Sequence, residues 1–155
     1  MITALKYGQR LSAAQLLAQA MADRAIALNV GLPDAFIPVP LHTNRLRRRG
    51  FNQSIELATH LARLCKRPLL RDATVRTRAT PSQTGMSARQ RRTNLRRAFS
   101  IKPAGYPSEI LSHLAIVDDV MTTGSTANEL ASTLLDRGAS QVDVWVAARV
   151  EKPVN

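Results

Sequence analysis

Two adjacent carboxylates, Asp118 and Asp119, stand just ahead of Met121 and of the run Thr122, Thr123, Gly124, Ser125 and Thr126. Hydroxyls donate hydrogen bonds, a glycine lets the backbone come close to a ligand, and the first amides of a following helix point at an anion. That run therefore suits a phosphate. The carboxylates would repel a phosphate, so they suit a neighbouring group that carries hydroxyls: a vicinal diol donates to carboxylates, and can also bind Mg²⁺. Acidic pair and phosphate cup together describe a ribose 5-phosphate. Taken singly, each feature also fits a capped turn or an ordinary helix start; the combination, directly after an apolar run, points to a ligand.

The elements that must hold these residues are legible on either side. Leu114 to Val117 is a continuous apolar run, the pattern of a strand buried on both faces, and it is expected to end at Asp118. A loop with Gly124 follows, then a helix to Arg137 closed by Gly138, with Thr126 and Glu129 at capping-box spacing, and then a strand over Val142 to Val150. This is a βαβ unit with a parallel crossover, and open sheets of this kind bind ligands outside the carboxyl ends of their strands. The sequence contains neither a Walker A nor a G-x-G-x-x-G pattern, which removes the common nucleotide-binding competitors.

Upstream, Leu11 to Asn29 reads as an amphipathic helix stopped by Gly31 and Pro33, Ala35 to Val39 as a short buried strand closed by Pro40, and Asn52 to Cys65 as a second helix ending before Pro68. Leu69 to Val75 offers one or two short strands, and Phe99 to Ile101 another before the Pro103 to Pro107 turn. Between them, residues 76–96 are polar, basic and without core periodicity; a loop of that length in a small domain reads as an active-site lid, with a short helix near Ser87 to Leu95. A chain of 155 residues, rich in Ala, Leu and Val, fits one α/β domain over 1–155, a mainly parallel central sheet flanked by helices.

Charge is concentrated. Arg45 to Lys102 carries 16 of the 22 Lys and Arg against only Glu56 and Asp72, which favours a polyanionic partner such as a diphosphate, a nucleotide or single-stranded DNA, with a solvated basic face as the alternative. One cysteine, Cys65, excludes an internal disulfide framework and a thiolate metal cluster, and fits a reduced cytoplasmic setting. No membrane span is evident. Lys6 and Arg10 ahead of Leu11 to Ala20 resemble a signal peptide, but Gln15 and Gln19 break the apolar run, and Leu17, Met21, Ala25 and Leu28 carry a helical spacing past it. Cys65 shares a stripe with Ala58 and Ala62 and reads as a core residue, Trp145 reads as packing, and His60 and His113 read as surface or structural.

The run Ile116-Val117-Asp118-Asp119-Val120-Met121-Thr122-Thr123-Gly124-Ser125-Thr126 resembles the phosphoribosyl pyrophosphate (PRPP) motif of type I phosphoribosyltransferases. The resemblance implies that Asp118 and Asp119 take the ribose hydroxyls, and that Met121, Thr122, Thr123, Gly124, Ser125 and Thr126 hold the 5-phosphate. Val39-Pro40-Leu41-His42, then Arg45, Arg47 and Arg49-Gly50-Phe51-Asn52-Gln53, are similar to the ComF/GntX branch associated with competence and DNA uptake, as are Gln83, Ser87, Arg91, Arg92 and Asn94 followed by Phe99. In that fold the first stretch would be the pyrophosphate loop and the later one a hood closing over substrate. Many members of the branch begin with a cysteine-rich zinc module, and one Cys with three scattered His cannot replace it, so structural zinc is not expected.

What the resemblance implies is a pentosyl-transferring glycosyltransferase in a DNA-uptake setting, with Mg²⁺ carried by the substrate and no direct protein ligand set. Pro40, Leu41, His42, Arg45 and Arg49 would hold the diphosphate, and Arg91 or Arg92 would arrive on the lid as the catalytic charge. Positioning and electrostatics would do most of the work on departing pyrophosphate and an oxocarbenium-like ribose. The acceptor is open, and so is pairing into a homodimer. Two alternatives stand beside catalysis: a non-catalytic regulator that responds to PRPP, and a basic nucleic-acid accessory protein of competence. The second has only Phe51 and Phe99 for base stacking within the basic segment.

Overall fold

The computed structural model describes residues 10–42, 46–47, 50–77, 98–107 and 111–150. In chain order these form α1 (Arg10–Ala27), β1 (Ala35–Pro38), α2 (Gln53–Cys65), β2 (Thr74–Arg76), β3 (Phe99–Ile101), a 3-10 turn (Pro103–Gly105), β4 (His113–Met121), α3 (Ser125–Asp136) and β5 (Gln141–Arg149). The lid expected over residues 76–96 lies outside the described residues apart from its first two.

The central sheet is parallel in the order β1-β4-β5, and Leu69 bridges in parallel to Phe36 on the free side of β1. The chain thus moves one way from β1, through α2 to Leu69, and the other way from β4, through α3 to β5. The reversal between β1 and β4 is the switch point at which an open α/β sheet leaves a crevice at its carboxyl edge.

Strand alternation divides the core into two layers. Phe36, Ala115, Val117 and Trp145 face α1 and α2, packing on Ala14, Ala18, Leu57 and Leu61, whereas Ala35, Ile37, Leu114 and Ile116 face α3 and β3, packing on Leu130, Leu134 and Phe99. Each strand of the β1–β4 pair is apolar on both faces because each face is covered. The Phe36 and Trp145 rings meet edge to face at 5.3 Å and 81°, which adds about 1 kcal/mol to their burial. Cys65 packs partly buried against the α1–α2 layer, as its stripe predicts. Small alanines on α1 let this helix sit close to α2.

Three sequence expectations change. The apolar run does not stop at Asp118: β4 continues to Met121, and its ladder with β5 runs on through Asp118↔Val146, Val120↔Ala148 and Met121↔Arg149. The ladder passes over Asp119, where the side chains substitute: Asp118 Oδ1 accepts the Asp119 amide and Asp119 Oδ1 accepts the Val120 amide, both at 2.9 Å. Second, no capping box forms at Thr126 and Glu129. The N-cap is Gly124, in the left-handed region at φ 73°, which no β-carbon obstructs, and α3 begins at Ser125, so Thr126 is already inside the helix. Third, α1 ends at Ala27, two residues short of the expected Asn29: Asn29 takes the left-handed conformation at φ 52°, and the Val30 amide bonds back to the Ala25 carbonyl at 2.9 Å. Gly138, at φ 112°, closes α3 as expected.

Candidate functional site

The carboxyl ends of β1 and β4 are locked side by side, with Pro38 opposite Val117 and the Val39 amide donating to the Val117 carbonyl at 2.9 Å. The next residues on the two strands are therefore neighbours: Pro40, Leu41 and His42 leave β1 partly exposed where Asp118 and Asp119 end the buried part of β4. The switch point thus brings together the two stretches expected from sequence to bind diphosphate and ribose. The His42 carbonyl accepts the Leu46 amide at 3.0 Å, and the Leu46 carbonyl accepts the Gly50 amide at 2.7 Å. Arg47 is exposed. Arg45, Arg49, Arg91 and Arg92 lie outside the described residues.

Beyond Asp119 the chain makes the cup. Met121 ends β4 partly exposed, Thr122 is exposed, and Thr123, Gly124, Ser125 and Thr126 are half-buried around the start of α3. The Thr123 and Ser125 hydroxyls share a hydrogen bond at 2.9 Å, and the Gly124 carbonyl accepts the Asn128 amide at 2.8 Å. Gly124, the N-cap, has no side chain to bond the first amides of α3. Orphan amides at the positive end of a helix, beside hydroxyls, form an anion site.

The acidic pair is held from the other side by α2. Asn52 is the N-cap of that helix: its Oδ1 accepts the Ser54 amide at 3.0 Å, and its Nδ2 donates to the Val39 carbonyl at 3.0 Å. The Ser54 hydroxyl then donates to Asp118 Oδ1 at 2.9 Å. Burial, and next the charge of Asp119, push the Asp118 carboxyl up to about 7, while the Ser54 hydroxyl and the Asp119 amide pull it back. A carboxyl that titrates near neutrality is a frequent mark of a functional site. Reading the sequence missed Ser54, although Asn52 at a helix start after Gly50 signals that the residue two further on sits in the first turn.

Among the described residues no cluster of three His, Cys, Asp or Glu could hold a metal ion. Two adjacent carboxylates beside a phosphate cup fit a cation that arrives on a diphosphate and keeps part of its water shell, which is how Mg²⁺ commonly binds. His113 stands at the opposite edge of the sheet, its Nε2 2.7 Å from Asp143 Oδ2, in the structural role expected of it. No described helix is long and apolar enough to cross a membrane.

No family model matches the sequence. Among curated proteins it is 41% identical over 138 residues to competence protein F of Haemophilus influenzae, covering 88% of this chain and 59% of that protein. It is 42% identical over 155 residues to DNA utilization protein YhgH of Escherichia coli O157:H7, covering 96% of this chain and 66% of that protein. The chain thus spans about three fifths to two thirds of the length of these relatives. Among solved structures it resembles the glutamine PRPP amidotransferase of B. subtilis, with a TM-score of 0.57 and 20% identity over 89% of this chain and 26% of that one. Orotate phosphoribosyltransferase from Aeropyrum pernix matches with a TM-score of 0.50 and 16% identity, over 92% of this chain and 72% of that one. Identities this low show the fold alone, whereas the first two relatives show kinship along nearly the whole chain. By sequence kinship and by fold together, the chain belongs to the family of competence protein F and YhgH, built on the type I phosphoribosyltransferase fold.

Proposed function

We propose that this chain binds PRPP or a closely related ribose 5-phosphate with Mg²⁺, and transfers the phosphoribosyl group to an acceptor in the service of DNA uptake or utilization. The observation that carries this reading is the juxtaposition at one strand end of the partly buried acidic pair, Asp118 and Asp119, with the start of α3 at its glycine N-cap, Gly124. The carboxylates take the ribose hydroxyls and the α3 amides, with Thr122, Thr123, Ser125 and Thr126, take the 5-phosphate. Pro40 to His42, with Arg45 and Arg49, hold the diphosphate and the cation it carries. Arg91 or Arg92 balances charge on the leaving group. The protein's part is to fix the two ends of the ligand across the switch point, so that the bond to be broken lies between them.

Isothermal titration of PRPP and Mg²⁺ into the wild type and the Asp118→Asn, Asp119→Asn double variant tests the reading. Saturable binding that the double variant loses is expected; a folded wild type that binds no PRPP would overturn it. A second reading, a PRPP-responsive or purely nucleic-acid-binding accessory without transferase activity, draws on the net charge of +11 and on the names of the relatives. It predicts single-strand binding that weakens steeply with salt. PRPP would then change DNA affinity without any acceptor, or have no effect on it.

A further inference from the structure

Ser54 is 4% exposed and its hydroxyl is spent on a carboxylate 64 residues away in sequence. A serine in the first turn of a helix ordinarily turns its hydroxyl to solvent or to its own backbone. Here the backbone role belongs to Asn52, which caps α2 by accepting the Ser54 amide, and the Ser54 hydroxyl is left for Asp118 Oδ1. That oxygen also accepts the Asp119 amide, so two donors within the protein converge on Oδ1 and hold the carboxyl in place. Asn52 in turn grips the Val39 carbonyl, directly before Pro40. One hydrogen-bonded chain therefore runs from the start of the expected diphosphate loop, through Asn52 and Ser54, to the acidic pair.

We propose that Ser54 is the positioning residue of the diol site: it fixes the Asp118 carboxyl at the strand end and ties that geometry to the β1 end through Asn52. The proposal rests on the PRPP reading for the identity of the ligand, and on the structure alone for the coupling between Ser54 and Asp118. Ionised Asp118 needs Ser54 as a donor. Among the described residues, Asp119 is the charged neighbour that acts on Asp118, while α2 faces it with Ser54 and β5 pairs it with the apolar Val146.

The test pairs a ligand-free readout with a binding readout. In Ser54→Ala, the carbon-13 carboxyl titration of Asp118 is expected to move up by about one pH unit, the scale of one lost hydrogen bond to a charged group. If only the ionised form binds, PRPP affinity near neutrality then falls by about fivefold, and the loss closes as pH rises by about two units. Ser54→Cys, nearly isosteric and a weaker donor, gives an intermediate shift and serves if the alanine variant does not fold. An unmoved Asp118 titration in a folded variant overturns the proposal. If wild type binds no PRPP while Ser54→Ala still moves the Asp118 titration, the ligand assignment fails and the coupling stands.

Discussion

Asp118→Asn should make the protein more stable at alkaline pH while abolishing the diol site. In the folded chain the Asp118 carboxyl is pushed up to about 7 from its ordinary 3.8, mainly by burial and by Asp119. Between those values the folded state holds a proton that the unfolded state has released, so stability falls as pH rises through the window and stays low above it. Three pH units correspond to about 4 kcal/mol, a ceiling that partial exposure of the site and salt reduce. Asparagine keeps a carbonyl oxygen for the Ser54 hydroxyl and the Asp119 amide, and turns an amide donor toward the Asp119 carboxylate, so it removes the charge without orphaning a partner. Urea unfolding of both proteins from about pH 4 to pH 8 checks this. The variant should gain about 2–4 kcal/mol over wild type at the alkaline end and little at the acidic end. An advantage that is absent at alkaline pH, or the same at both ends, would refute the idea that a buried charge is held here against its own stability.

Two further outcomes follow from close contacts. A β-carbon at Gly105 would lie 2.4 Å from the Asp72 carbonyl oxygen, a backbone atom that cannot turn aside, so Gly105→Ala should cost about 1–3 kcal/mol in chemical denaturation and leave PRPP binding intact. Asn52→Ala removes both the α2 cap and the donor to the Val39 carbonyl, so it should lower stability by about 1–2 kcal/mol and weaken PRPP binding as well. Asn52→Ala that loses stability without losing affinity would cut the link between the β1 end and the acidic pair.

What the sequence made legible was local, and what it concealed was long-range. The apolar run Leu114 to Val117, the acidic pair and the helix start after it lie in consecutive residues, so the buried strand and the turn that follows it could be named before any coordinate. The alternation of Phe36 against Ile37, and of Ala115 against Ile116, could not assign faces to α1 and α3 until the strands were ordered. The end of β4 was misread for a specific reason: polar residues usually close a buried strand, but the carboxylates of Asp118 and Asp119 bond to the next amides and let the ladder with β5 resume at Val120. Gly124 was singled out in the sequence for closeness to a ligand; in the fold its left-handed φ makes it the N-cap and displaces the capping box that Thr126 and Glu129 spell.

Ser54 shows where one-dimensional reading ends. Its motif neighbours Phe51, Asn52 and Gln53 drew attention for their likeness to a family pattern, while Ser54 followed them as an ordinary first-turn residue. Its importance comes from a contact across 64 positions, made because α2 returns over the sheet with its amino end at the switch point. The same placement brings the amino end of α2, with its partial positive charge, to the Asp118 carboxyl. Two helices therefore start at one crevice: α2 sets the Ser54 hydroxyl on the Asp118 carboxyl, and α3 opens on a glycine N-cap that has no side chain to bond its first amides.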